Sequence, residues 1–159
     1  MPSIFDPEFE DREGAPPGFR CKRAWLGRDA GAERLGASLW EVPPGEAAYP
    51  YHFHYGDEEL LIVLAGSGRL RTPAGWRDLG AGEVFSFHTC ESGAHQLVAT
   101  GDAPLRFLAI STSGAPDITV YPDSDKVAAT ERRTEGFRRI FRVGDAVEYF
   151  EGETPPHDA

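Results

Sequence analysis

The sequence predicts an all-β protein, a sandwich or barrel of short strands. Short apolar runs recur between Tyr51 and Ile110 at near-regular spacing, and Gly, Pro, Asp or Thr bounds each one. The chain also holds 18 glycines and 13 prolines in 159 residues. In a helix interior these cost about 1 and about 3 kcal/mol each, so the composition itself disfavours long helices. At this length, 40% hydrophobic and 26% charged residues fit one soluble domain spanning 1–159.

In chain order, residues 1–20 hold four prolines, several acids and little periodicity, and read as an arm that docks on the core or on a partner subunit. Two strand-like stretches lie between Ala24 and Val42, the second over Gly36–Val42, closed by the turn Pro43-Pro44-Gly45. Strands follow at Glu59–Leu64, Arg69–Arg71, Trp76–Leu79, Glu83–Phe87, His95–Ala99 and Leu105–Ile110. The turns between them are Gly66-Ser67-Gly68, Thr72-Pro73-Ala74-Gly75, Gly80-Ala81-Gly82 and Thr100-Gly101-Asp102-Ala103-Pro104. Beyond Ser111 the pattern thins to a loop at 113–116, one short strand at Ile118–Tyr121 and a loop at Asp123-Ser124-Asp125. The tail 126–159 sets Arg132, Arg133, Arg138, Arg139 and Arg142 beside Phe137, Ile140, Phe141, Tyr149 and Phe150, and reads as a solvated or subunit-facing surface.

The formal charge of −10 argues against a nucleic-acid surface or an anionic membrane surface. No apolar run is long enough to span a bilayer, and residues 1–12 carry acids where a signal peptide would be basic and then apolar. The expectation is a cytoplasmic protein whose partners are small molecules or a second copy of itself. Cys21 and Cys90 are too few for a disulfide framework, and no CxxC pair exists, so both read as reduced thiols.

The chemistry concentrates in His52-Phe53-His54-Tyr55-Gly56-Asp57-Glu58-Glu59. Side chains two apart on a strand share a face, so His52 and His54 can present both imidazoles to one point. A carboxylate at the start of the next strand can reach that point once the Tyr55-Gly56-Asp57 turn folds the chain back. His95, opening a later strand, is a fourth candidate. A lone HxH means little, but three imidazoles and a carboxylate suit a divalent transition metal such as Fe, Mn, Ni, Co, Cu or Zn.

These residues stand in an order that resembles the first motif of the cupin superfamily: a glycine, HxH, a glutamate and a second glycine. Gly45 precedes His52 with one residue more than the usual pattern, four residues separate His54 from Glu59, and six separate Glu59 from Gly66. That spacing selects Glu59 over Glu58. Strand parity agrees, placing Glu59 with Leu61 and Val63, and Glu58 with Leu60, Ile62 and Leu64. The second cupin motif is looser: Gly82-Glu83 stands for Gly-Asp, His88 for proline and Ala99 for asparagine, and His95 lies two residues late, behind an extended 89–94 loop. The tail is also similar to a group of small bacterial cupins in His95-Gln96-Leu97, Gly101-Asp102-Ala103-Pro104, Tyr121-Pro122-Asp123 with Lys126, and Tyr149 to Glu153.

The resemblance implies a double-stranded β-helix, or cupin jelly-roll barrel, with its core over 36–112, an N-terminal arm over 1–35 and a C-terminal extension over 113–159. It implies one divalent metal ion on His52, His54, Glu59 and His95. The function expected is turnover of a small, oxygen-rich molecule at that centre, with dioxygenation, decarboxylation and isomerisation all open. The alternative is a binding module that captures a metal or metabolite without turnover. Tyr49, Tyr51, Arg71 and His88 are candidates to line the pocket, though each is equally at home as a strand or loop residue. Both faces of the Glu59–Leu64 strand are apolar, which leads to the expectation of a homodimer through an outer sheet.

Overall fold

The computed structural model describes residues 1–113, 116–131 and 136–156. Among the described residues, thirteen strands form three sheets. The first sheet contains β1 (Glu10–Asp11), β2 (Lys22–Ala24), β3 (Leu35–Val42), β5 (Glu59–Ala65), β8 (Val84–Phe87) and β10 (Leu105–Thr112), in the order β1-β2-β3-β10-β5-β8. The second pairs β7 (Gly75–Gly80), β6 (Ser67–Thr72) and β9 (Gln96–Ala99). The third runs β13 (Phe137–Arg142), β12 (Lys126–Glu131), β11 (Asp117–Tyr121) and β4 (Phe53–His54). All pairings are antiparallel, and strands adjacent in space are often distant in sequence, as in a jelly roll.

The main core lies between the first two sheets. Trp40 and Val42 of β3, Leu61 and Val63 of β5, Phe87 of β8 and Leu105 and Phe107 of β10 meet Leu70, Leu79, Leu97 and Ala99 from the facing sheet. Trp40 stacks on Phe107 with centroids 5.9 Å apart. A smaller cluster of Tyr51, Phe53 and Ala94, backed by Val120, joins the third sheet to the barrel. Gly66 makes the β5–β6 turn at φ +78°, where a Cβ would meet the Pro104 carbonyl oxygen at 2.4 Å.

The strands expected from Glu59 to Ile110 are present, with β6 starting at Ser67, just after this turn, and not at Arg69. Three features depart from the sequence reading. A four-residue helix, α1 (Leu26–Asp29), follows β2. His95 joins no strand; it forms an isolated bridge with His52. The tail holds a hairpin, β12–β13, where the sequence suggested only surface. The N-terminal arm docks on its own chain: β1 pairs with β2, the Arg12 guanidinium donates to the Ala48 carbonyl at 2.9 Å, and Arg20 grips the buried Glu46 carboxylate. No helix among the described residues is long and apolar enough to cross a membrane. Gly114, Ala115, Arg132, Arg133 and His157 lie outside the described residues.

Candidate metal centre

Three segments converge inside the barrel. His52 and His95 exchange two backbone hydrogen bonds, His52 N to His95 O at 3.2 Å and His95 N to His52 O at 2.9 Å. Their ring centroids lie 4.8 Å apart. His54 ends β4, with its ring centroid 4.9 Å from that of His52, so the two-residue spacing does put both imidazoles on one side. Glu59 opens β5 on the inward parity of Leu61 and Val63. Its register partner Phe87 stacks face to face on His95 at 3.7 Å.

One ligand atom each from His52, His54 and Glu59 lies within 4.8 Å of the others. His95 adjoins this trio through Glu59, with its Nε2 3.2 Å from Glu59 Oε2, while His54 Nε2 stands 3.6 Å from the same oxygen.

The hydrogen positions follow from the outer contacts. His52 Nδ1 lies 2.9 Å from the Pro50 carbonyl, His95 Nδ1 2.9 Å from the Gly93 carbonyl, and His54 Nδ1 2.6 Å from Asp117 Oδ2. Each of these oxygens only accepts, so each Nδ1 carries the hydrogen. When neutral, the rings therefore turn their Nε2 lone pairs inward, those of His54 and His95 toward a Glu59 oxygen that is buried and has no hydrogen-bond partner among the described residues. Lone pairs facing lone pairs in a buried site are unsatisfied until a proton or a metal cation joins them. Imidazole nitrogens and a carboxylate are also the donor set that divalent transition metals favour.

Burial, reinforced by repulsion from His95 and His54, pushes the His52 pKa down to about 3, keeping it neutral. Burial alone would raise the Glu59 carboxyl; donation from His95 and the charges of His95, His54 and His52, when these rings are protonated, outweigh it and hold the pKa down to about 2. Burial likewise works against ionisation of Asp117, and its bonds with His54, Gly56 and Thr119 overcome it, leaving the pKa at about 2. For His54, burial lowers the pKa and the Asp117 carboxylate more than reverses this, so the net shift is upward. Among the described residues, the ion-pair partners of Glu59 and Asp117 are histidines. Glu59, Asp117 and their histidines thus carry net negative charge whenever those rings are neutral.

Of the other candidates, Tyr49 packs edge-on against His52 and His95 at 4.8 and 5.4 Å, closing one side of the cluster. Burial, with Glu59 nearby, keeps its phenol protonated by raising its pKa well above the usual value. Tyr51 packs in the smaller core cluster under Arg71, whose guanidinium lies 4.0 Å from the ring centroid and pairs with Asp123. His88 stays outside: its side chain is 73% exposed and faces Glu58 at 3.4 Å.

Sequence reasoning missed Asp117, which is fully buried, and Asp57, also buried; with His54 they form a second group of neighbouring ligand atoms. It also missed Tyr121, whose ring stacks on His52 at 6.0 Å. An acid at the head of a strand after a loop looks like any loop acid, and only the Asp-x-Thr alternation hinted that Asp117 and Thr119 share a face.

Residues 38–111 match the family model described as "Cupin domain". No curated protein is a significant match to the chain. A protein of known structure from Acidithiobacillus ferrooxidans, provisionally named a sugar phosphate isomerase, is 25% identical with a TM-score of 0.78, the alignment covering 91% of each chain. A sugar phosphate isomerase of the cupin superfamily from Silicibacter pomeroyi is 21% identical with a TM-score of 0.79, over 92% of this chain and 94% of that one. The polyketide cyclase RemF from Streptomyces resistomycificus is 26% identical with a TM-score of 0.54, over 66% of this chain and 74% of that one. The jelly-roll order of the strands, the His/Glu cluster inside it and the match over residues 38–111 together show that this chain contains a cupin domain.

Proposed function

We propose that the protein holds one divalent transition metal ion on His52, His54, Glu59 and His95 and acts there on a small, oxygen-rich molecule. The observation that carries this reading is the buried, unpartnered Glu59 oxygen facing imidazole nitrogens whose hydrogens are all committed outward. The bound ion would supply Lewis-acid polarisation of a substrate oxygen. The chain's own residues do the rest. Phe87 and Tyr49 wall the histidines with aromatic faces and edges, which excludes water and fixes the rings. The Tyr49 phenol remains a proton holder over the working pH range.

Sugar phosphates are the first substrates to test, because the Acidithiobacillus relative named for them aligns along nearly the whole chain, not only the cupin domain. The experiment is metal analysis of the purified protein, followed by NMR of a sugar phosphate panel incubated with metal-loaded protein. Metal near one equivalent with aldose–ketose interconversion is the expected result. Binding of a panel member without turnover would identify a capture module instead. Purified protein that neither contains nor takes up a transition metal overturns the centre.

A further inference from the structure

His54 is held differently from the other two histidines. Backbone carbonyls fix His52 and His95, whereas His54 is fixed by a carboxylate from β11, beyond the 38–111 cupin match. Thr119 is the register partner of His54, and Asp117 lies two residues earlier on the same face of β11. The Asp117 carboxylate accepts three hydrogen bonds. Oδ2 accepts from His54 Nδ1 at 2.6 Å and from the Thr119 hydroxyl at 2.9 Å, and Oδ1 accepts from Gly56 N–H at 3.0 Å. The Thr119 oxygen also lies 3.3 Å from His54 Nδ1.

We infer that Asp117 is a positioning residue for the metal centre: it locks His54 as the Nδ1–H tautomer and aims the Nε2 lone pair at Glu59. The inference rests on the reading of His54 as a ligand and extends the site into the C-terminal extension. An imidazole with hydrogen on Nε2 has no lone pair to give there, so tautomer decides whether His54 can bind metal at all. The same contact explains the second group, His54 with Asp57 and Asp117. Its histidine nitrogen already carries a hydrogen bonded to Asp117, so that group is a support for the first and not a second ion site.

Asp117→Asn inverts the pattern at nearly constant volume. The Asn oxygen must stay opposite Gly56 N–H, which turns the amide NH2 toward His54 and Thr119. That donor favours an Nδ1 lone pair and moves the ring hydrogen to Nε2. Histidine-labelled, metal-free protein is examined by long-range proton–nitrogen NMR at about pH 9, above the ordinary imidazole value of about 6.5. The His54 signal is identified by its absence in His54→Gln. Wild-type protein and Thr119→Val, which keeps the carboxylate, should show the Nδ1–H form, and Asp117→Asn the Nε2–H form.

Cobalt affinity, measured by chelator competition, should weaken about 10–100-fold in Asp117→Asn, as for other hydrogen-bond partners of metal ligands. Wild-type His54 found as Nε2–H, or an unchanged tautomer in folded Asp117→Asn, overturns the inference. The wild-type spectrum decides even if that variant fails to fold. Wild-type protein with the Nδ1–H form that binds no cobalt overturns the metal centre itself, separately from the His54–Asp117 coupling.

Discussion

Glu58 and Glu59 are adjacent, and strand parity sends them to opposite sides. Glu59 faces His54 and His95, while the Glu58 side chain is 56% exposed beside His88. Glu59→Ala should therefore empty the centre about as severely as His52→Ala or His95→Ala, and Glu58→Ala should keep most of the metal. Metal analysis with circular dichroism as folding control checks this; the reverse pattern would shift every inward residue of β5 by one. The histidines also set a pH dependence. A ligand imidazole must be unprotonated, so titrating loaded protein from about pH 8 to about pH 5 should release metal. His54 is the ring held above its usual value, whereas His52, at about 3, stays neutral throughout. The emptied protein should remain folded. The raised His54 stabilises the fold below its unfolded value of 6.5, and that contribution is lost as pH rises through the folded value. Asp117, depressed to about 2, contributes above its unfolded value of 3.8 and loses this as pH falls toward about 2. Both contributions are thus present between 3.8 and 6.5. Metal retained at pH 5 after long dialysis, or unfolding that accompanies its release, contradicts this assignment.

The elements differ in how plainly their sequences announce them. From Glu59 to Ile110 each strand has a buried face and a turn residue at its end, so apolar runs and Gly/Pro punctuation suffice to find it. The pair β12–β13 escaped because all six residues of β13 are exposed, leaving no alternation to read. Three of the four proposed ligands are legible from short spacing and His95 from a motif, but Asp117 meets His54 across 63 residues, a separation no local pattern encodes. The 89–94 loop was visible only as an excess of two residues. Its conformation shows what that insertion costs. Cys90 sits at φ 70°, ψ −176°, a region nearly reserved for glycine, while its N–H donates to the His54 carbonyl at 2.7 Å. A Cβ on Gly93 would meet the His88 carbonyl oxygen at 1.8 Å. Cys90→Gly should therefore stabilise the protein by about 1 kcal/mol, relief of strain exceeding the added chain entropy. Gly93→Ala should destabilise it. Thermal unfolding of the two variants decides, and a loss of stability in Cys90→Gly would show that the loop is not strained.

At the scale of the whole molecule, the outward face of β5 and β8 remains uncovered. Leu60, Leu64 and Val84 are 37%, 38% and 56% exposed. A shallow groove beside them is lined by Leu35, Leu60, Ser86 and Ile110. The chain has two segments long enough to cover this face, and neither does so among the described residues. The N-terminal arm reaches the sheet near Arg106, where Phe9 lies 5.7 Å from the guanidinium, and leaves these side chains open. The C-terminal hairpin keeps Phe137, Ile140 and Phe141 exposed itself. A second copy of the chain is therefore the proposed cover, in a two-fold arrangement that sets this face against itself. A specific dimer of this kind needs roughly 800 Å2 buried per protomer, with these apolar side chains at its centre. Two chains of charge −10 repel, so raising salt should favour association, through screening over about 10 Å at 0.1 M. Light scattering should give twice the 17.4 kDa of one chain, and Leu60→Lys or Val84→Lys should return the mass to that of a monomer with the circular dichroism unchanged. Each substitution lies on the face opposite Glu59, so metal content should survive the loss of the dimer. A wild-type protein that scatters as one chain at every salt concentration would leave this apolar face without the role assigned to it.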